Sequence, residues 1–348
     1  MKSWSLRFII TYAVLILLIG GTTAVIDPFF HYHKPLPGLG YLMTDRDERY
    51  LNDGIVKRFD YDAIISGTSM IQNFRASEFD ALFDTHSVKI PLSGASYREV
   101  NEELERAFAA NQGIVTVLRG LDYGLISAPP DEMLVGKYPT YIYDDDILND
   151  TEYVLNKEVF TFATWMDVIW YTIRGGRTTT FDEYGNWNDR VTFGKEAAIS
   201  QYERKPQQEK AAYAPLDTGN LEQNVISIVA AHPETEFYLF FTPSSILSFD
   251  RLNRQGILEN QLRWEKEAIE MMLPYDNIRL FSFYDDFDMI TDLENYKDEN
   301  HYREEVNSYI LQCIRNGEHE LTKDNYEAYC DKVWDFYTAY DYDSIFDR

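Results

Sequence analysis

Five short apolar runs constrain this chain more than anything else in it: "DAIISG" (62–67), "SVKIPLSG" (87–94), "IVTVLRG" (114–120), "EFYLFFT" (236–242) and "IRLFSF" (278–283). A strand with one wet face alternates apolar and polar residues. Near-continuous apolar runs belong instead to strands covered on both faces, the condition of a parallel sheet. Helical patterns lie between them. "YREVNEELERAFAANQ" (97–112) sets Val100, Leu104, Phe108 and Ala109 on one stripe, and "LEQNVISIVAAH" (221–232) and "QLRWEKEAIEMML" (261–273) behave alike. The order β-α-β-α-β, a long break, then α-β-α-β-α predicts an α/β fold. The expected architecture is a three-layer α/β/α sandwich around a parallel sheet of about five strands.

The break, about 125–218, is too long for a plain connection. It reads as a cap-like insertion of short helices and loops after the third strand. Ligands of open parallel sheets bind at the carboxyl ends of the strands, so such an insertion would overhang a site. Its Trp165, Trp170 and Trp187 are expected to form its own small core, with stacking on sugar rings as the alternative. Residues 321–348, aromatic and acidic, read as a C-terminal extension that begins as a helix and lies against the body at 61–320.

From Phe8 to Ile26 there are 19 residues without a charge, flanked by Lys2 and Arg7 before and Asp27 after. As a helix this stretch is about 28 Å long, enough for a bilayer core of about 30 Å. The positive flank comes first, which predicts a cytoplasmic N-terminus and an extracellular body. A cleaved signal peptide is the competing reading. Thr22-Thr23-Ala24-Val25-Ile26 offers no small-x-small cleavage site, so residues 1–26 are read as an uncleaved single-pass anchor in the cell membrane. Residues 27–60, rich at first in aromatics, Pro and Gly, form a juxtamembrane segment.

With 58 acidic against 32 basic residues the net charge is −26, which repels a nucleic-acid duplex or an anionic membrane surface. The two cysteines, Cys313 and Cys330, form neither a zinc motif nor a disulfide framework; one bridge or two ordinary thiols are both open. His31 and His33, with both rings on one side of an extended segment, and the run Asp144-Asp145-Asp146 could bind a cation as in a metal hydrolase, but the set lacks zinc-like spacing, and no metal or other cofactor is expected.

The chemistry concentrates at strand ends. In "YDAIISGTSM" Ser69 directly follows the first run, where a turn would expose its hydroxyl at the carboxyl end of the sheet. A nucleophilic serine needs a base. "KDENHYREE" supplies Asp298 and His301, three residues apart between the last strand and the last helix. His301 would take the Ser69 proton and Asp298 would hold the ring. The alternative is a helix-capping Asp298 beside an exposed histidine. Gly94 ends the second run and could offer an N–H to an oxyanion, or merely make a tight turn. "RGLDYG" ends the third, where Arg119 could pair with Asp122 or meet an anionic substrate. Ser244 and Ser245 follow the fourth and read as loop caps, with ligand contact as the alternative.

These blocks resemble the SGNH (GDSL-type) hydrolase superfamily, in particular its membrane-anchored D-alanyl transfer protein (DltD-like) branch of Gram-positive envelopes. The likeness covers about 60–316 and implies the flavodoxin-like sandwich of that superfamily. "GTSM" stands for its first block, with Ser69 as nucleophile and oxyanion donor and Thr68 beside it. Gly94 stands for the second-block glycine, and "DENH" for the fifth block. In the third block Asp122 replaces the usual oxyanion-binding asparagine. Three explanations stay open: a protonated Asp122, one turned toward Arg119, or altered chemistry. The resemblance implies an extracytoplasmic serine esterase or O-acyltransferase acting on acyl esters of a cell-surface glycopolymer, with a membrane-bound O-acyltransferase as partner. The alternative is a catalytically silent scaffold of an envelope synthesis complex.

Overall fold

The computed structural model describes residues 2–346 except 135, 137 and 145. The five apolar runs form the strands β1 (Ala63–Gly67), β2 (Ser87–Pro91), β3 (Thr116–Leu121), β4 (Glu236–Phe241) and β5 (Ile278–Ser282). β1, β2 and β3 are buried at every position, as two-sided coverage requires. The sheet has one strand more than expected, in the order β2-β1-β3-β4-β5-β6. The first five are parallel. β6 (Glu320–Leu321) adds an antiparallel edge of two residues. Helices flank this mixed α/β sheet, a general α/β/α sandwich.

β1 lies between β2 and β3, so the chain leaves β1 to one side, returns, and builds the rest on the other. That reversal opens a crevice at the carboxyl ends of β1 and β3. α1 (Lys2–Ile26) precedes the body, and α2 (Glu48–Arg58) and α3 (Ala76–Phe83) follow. α4 (Tyr97–Ala110) begins with a reciprocal capping box. The Ser96 hydroxyl accepts the Glu99 N–H at 3.2 Å, and Glu99 Oε2 accepts the Ser96 N–H at 2.7 Å. The C-terminal helix Tyr326–Ala339 packs on Leu258–Met272, with Tyr337 stacked on Phe249 at 3.7 Å between centroids.

α1 is long and apolar enough to cross a membrane, consistent with a single pass. Its far end is built into the body. Asp27, at φ +48°, ends the helix and is fully buried. Its carboxylate accepts the N–H groups of His31, Tyr32 and His33 at 3.0, 2.7 and 2.9 Å and the Tyr153 hydroxyl at 2.9 Å. The "HYH" stretch is therefore wrapped around one carboxylate, and its two imidazoles point to different partners. His31 Nε2 meets Asp150 at 3.1 Å, while His33 Nε2 meets the Val25 carbonyl at 3.2 Å. Asp144 accepts the Asp146 N–H at 2.9 Å in a local turn, and Asp145 lies outside the described residues. Among the described residues no group of three His, Cys, Asp or Glu is gathered to hold a metal.

The insertion divides its work. Trp187 is buried (9% exposed) and packs against the His301 ring. Trp165 and Trp170 are 46% and 47% exposed, contrary to the expected small core. They lie on the helix Val159–Ile173, whose buried side (Val159, Ala163, Thr164, Val168) is already filled. Cys313 and Cys330 are free thiols, and burial pushes them up to about 11 and 12.

Candidate active site

Thr68 and Ser69 leave β1 in a single tight 3₁₀ turn, Ser69–Ile71. Thr68, not Ser69, caps it by accepting the Met70 N–H. The Ser69 hydroxyl is left free to face His301, with Oγ and Nε2 2.8 Å apart. His301 Nδ1 faces Asp298 at 2.8 Å to Oδ2 and 3.0 Å to Oδ1. Asp298 also accepts the N–H groups of Asn300 and His301 at 2.9 and 2.8 Å. It caps no helix, since the next one starts only at Glu304. Burial works to raise the Asp298 pKa. The imidazole and the two N–H donors outweigh it and hold the carboxylate at about 2.

The "DENH" loop is held from both sides. Tyr296 and Tyr302 bridge its base, and the Ser245 N–H and hydroxyl both donate to the Glu299 carbonyl at 2.9 Å. Ser245 is thus a cap, of the helix Ile246–Arg254, as expected, whereas Ser244 lines the site. Trp187 meets the His301 ring edge to face, with centroids 5.6 Å apart, and Lys297 lies over the indole at 4.6 Å.

Ser69, Asp122 and His301 open into a cavity of about 240 Å³, walled by Met70, Leu125 and Leu252 and by Arg251, which is paired with Glu299. Asp122 follows β3 into this cavity. The Thr68 hydroxyl donates to its Oδ2 at 2.7 Å, and the Thr242 hydroxyl lies 3.4 Å from Oδ1. Burial raises its pKa against the opposing pull of Thr68, His301 and Thr242.

Arg119 is a correction. It is 1% exposed, pairs with no carboxylate among the described residues and lines no part of the cavity. It lies within β3 beneath α4, donating to the Tyr97 carbonyl at 3.3 Å, and burial lowers its pKa to about 10. Asp122 lies beyond the strand end, so three residues of separation do not bring the two together. Gly94 is exposed in the turn after β2 at φ +67°, a conformation open to glycine.

Several supporting residues carry no sequence signal. Glu48 of α2 accepts the Ser93 N–H at 2.7 Å and the Gln72 amide, and Arg49 donates to the Ser93 carbonyl at 3.1 Å. The juxtamembrane segment therefore fixes the Ser93–Gly94 turn and ties it to the turn after Ser69. The buried Lys89 of β2 donates to the Gln72 and Phe74 carbonyls at 2.5 and 2.8 Å. Behind the cavity, Glu265 accepts hydroxyls from Tyr123 (3.1 Å), Tyr329 (2.6 Å) and Ser282 (3.1 Å).

Burial raises Glu265 to about 7, against those three hydroxyls, which lower it. Its folded pKa thus exceeds its unfolded one. The stability it contributes is complete below the unfolded pKa near 4.5 and is lost as pH rises through about 7. Glu265→Gln keeps an acceptor and removes the titration. It is expected to match wild type at pH 4.5 and to exceed it at pH 8, by on the order of 3 kcal/mol, in urea unfolding. Equal curves at both pH values would refute this.

No family model matches the chain, and no curated protein matches it. One solved structure is similar in outline, a protein of Streptococcus pneumonia provisionally described as a platelet activating factor. The identity is 13%, the match covers 78% of this chain and 89% of the other, and the TM-score is 0.38. So loose a likeness adds nothing to the geometry above.

Proposed function

We propose that this chain is a membrane-anchored serine esterase or O-acyltransferase of SGNH type, with its body outside the cell. The observation that carries the reading is the hydrogen-bonded line Ser69–His301–Asp298 opening into a cavity at the strand ends. In this reading Ser69 Oγ attacks the ester carbonyl while His301 Nε2 takes its proton. Asp298, held ionised, stabilises the imidazolium that forms. The N–H groups of Ser69 and Gly94 receive the oxyanion. Asp122 donates a third hydrogen bond through its own acid proton, which its raised pKa favours.

The tetrahedral intermediate collapses to an acyl-enzyme, and His301 returns the proton to the departing alcohol. Water or a sugar hydroxyl then gives its proton to His301, attacks the acyl carbon and frees Ser69. A cavity of about 240 Å³ suits a short acyl group; a long chain would exceed it. A surface glycopolymer fits as carrier or acceptor, since an anchored enzyme with an open crevice meets polymers presented beside the membrane. A membrane-bound O-acyltransferase is the partner this reading expects.

The test is intact-mass analysis of the full chain in detergent after exposure to a fluorophosphonate. One adduct is expected in wild type and none in Ser69→Ala. A folded wild-type chain without an adduct would overturn the enzyme reading. A silent scaffold is the second reading, favoured by one observation: Asp122 in the place of an asparagine.

A further inference from the structure

We propose that the helix Val159–Ile173 is a second membrane contact, seated in the headgroup–acyl boundary beside α1. This rests on reading α1 as a membrane span, and goes beyond it by giving the body its own lipid-facing surface. Five large apolar side chains, Phe162, Trp165, Met166, Trp170 and Ile173, are exposed along this one helix, with Ile173 at 69%. Scattered apolar residues are ordinary on a protein surface, whereas five on one helix mark an interaction site.

The neighbouring structure says what covers them. The helix packs directly on α1, as does the turn Thr151–Val154 before it. A Cβ placed on Gly20 would lie 3.2 Å from Leu155 Cδ2 and 3.6 Å from Val154 Cγ2. Gly20 precedes Asp27 by seven residues, or about 10 Å of helix. The insertion therefore touches α1 inside its uncharged stretch, about 10 Å short of Asp27 and so just within the acyl-chain region. An interfacial helix buries its apolar face by about 5–10 Å, which agrees. Trp165 and Trp170 are the residue type favoured at that level. Lys157 and Arg174 stand at the two ends of the helix, where lipid phosphates would lie. Asp167, the one acidic residue within it, is neutralised by Arg46 at 2.5 Å.

The experiment uses the full chain carrying Trp4→Phe, which removes the anchor's own indole and leaves five tryptophans. It is reconstituted into phosphatidylcholine vesicles with plain or brominated acyl chains. Flotation on a density gradient establishes membrane insertion, and tryptophan emission is then compared between the two lipids. Bromination is expected to remove up to two-fifths of the emission, the share of Trp165 and Trp170 among the five. That loss should vanish when both are also replaced by Phe. A floating chain whose emission ignores bromination would overturn the lipid contact and leave the face to a transmembrane protein partner. A chain that fails to float would overturn the span of α1 and this inference with it.

Discussion

Ser69→Ala, His301→Ala and the double variant are expected to share one residual rate, about 10⁴–10⁶-fold below wild type in kcat on a short acyl ester. The reason is mechanical. Ser69 Oγ and His301 Nε2 stand 2.8 Å apart, and in the proposed mechanism they act in the same proton transfer, so removing either would end the pathway and removing the second would change nothing more. Asp298→Asn should behave differently. The ring keeps a neighbour but loses the charge that stabilises the imidazolium and fixes its tautomer, at a cost of about 10⁴ in kcat. Losses that multiply between Ser69→Ala and His301→Ala would show that the two residues do not act as one unit. Unchanged turnover in Ser69→Ala would remove the nucleophile from the mechanism.

The second large effect concerns Asp122 and has a defined sign. Its acid form can donate to the oxyanion and its ionised form repels it, so kcat/KM should fall as pH rises through a pKa that burial has raised. Asp122→Asn supplies an amide donor at every pH. It should match wild type on the acid side, exceed it on the alkaline side and abolish the alkaline limb. Asp122→Ala removes the donor altogether and should cost about 10²–10³ throughout. A pH–rate profile of the three proteins decides the matter. An alkaline limb unchanged in Asp122→Asn would assign that ionisation to another group.

The parts of this molecule written in local sequence were legible there. Each parallel strand is an apolar run, and Asp298 and His301 are close enough in the chain for their spacing alone to suggest a shared loop. Ser69 was legible because a glycine and a small polar residue end a buried strand just before it. The sixth strand was not, since two residues carry no period. Nor was the grip of Glu48 on Ser93, which joins residues 45 positions apart through one carboxylate. Neither role left open for Arg119, a pair with Asp122 or an anionic substrate, is met, because its side chain leaves β3 beneath α4 while Asp122 lies past the strand end in the cavity. Trp165 and Trp170 look like core on composition. Which side of their helix is already filled depends on α1, more than a hundred residues earlier.

The knot of donors around Asp27 has a practical consequence for solubility. A chain begun at residue 28 would lose the carboxylate that gathers His31, Tyr32, His33 and Tyr153, leaving their hydrogen-bonding groups to find water or one another. It would also strip α1 from Val154, Leu155 and the flank of the 159–173 helix, uncovering fresh apolar surface next to a face that is already exposed. Such a fragment should self-associate in buffer and need detergent even though α1 has been removed. The folded body of this chain therefore begins inside the hydrophobic helix, at Gly20 and Thr23, and not after it.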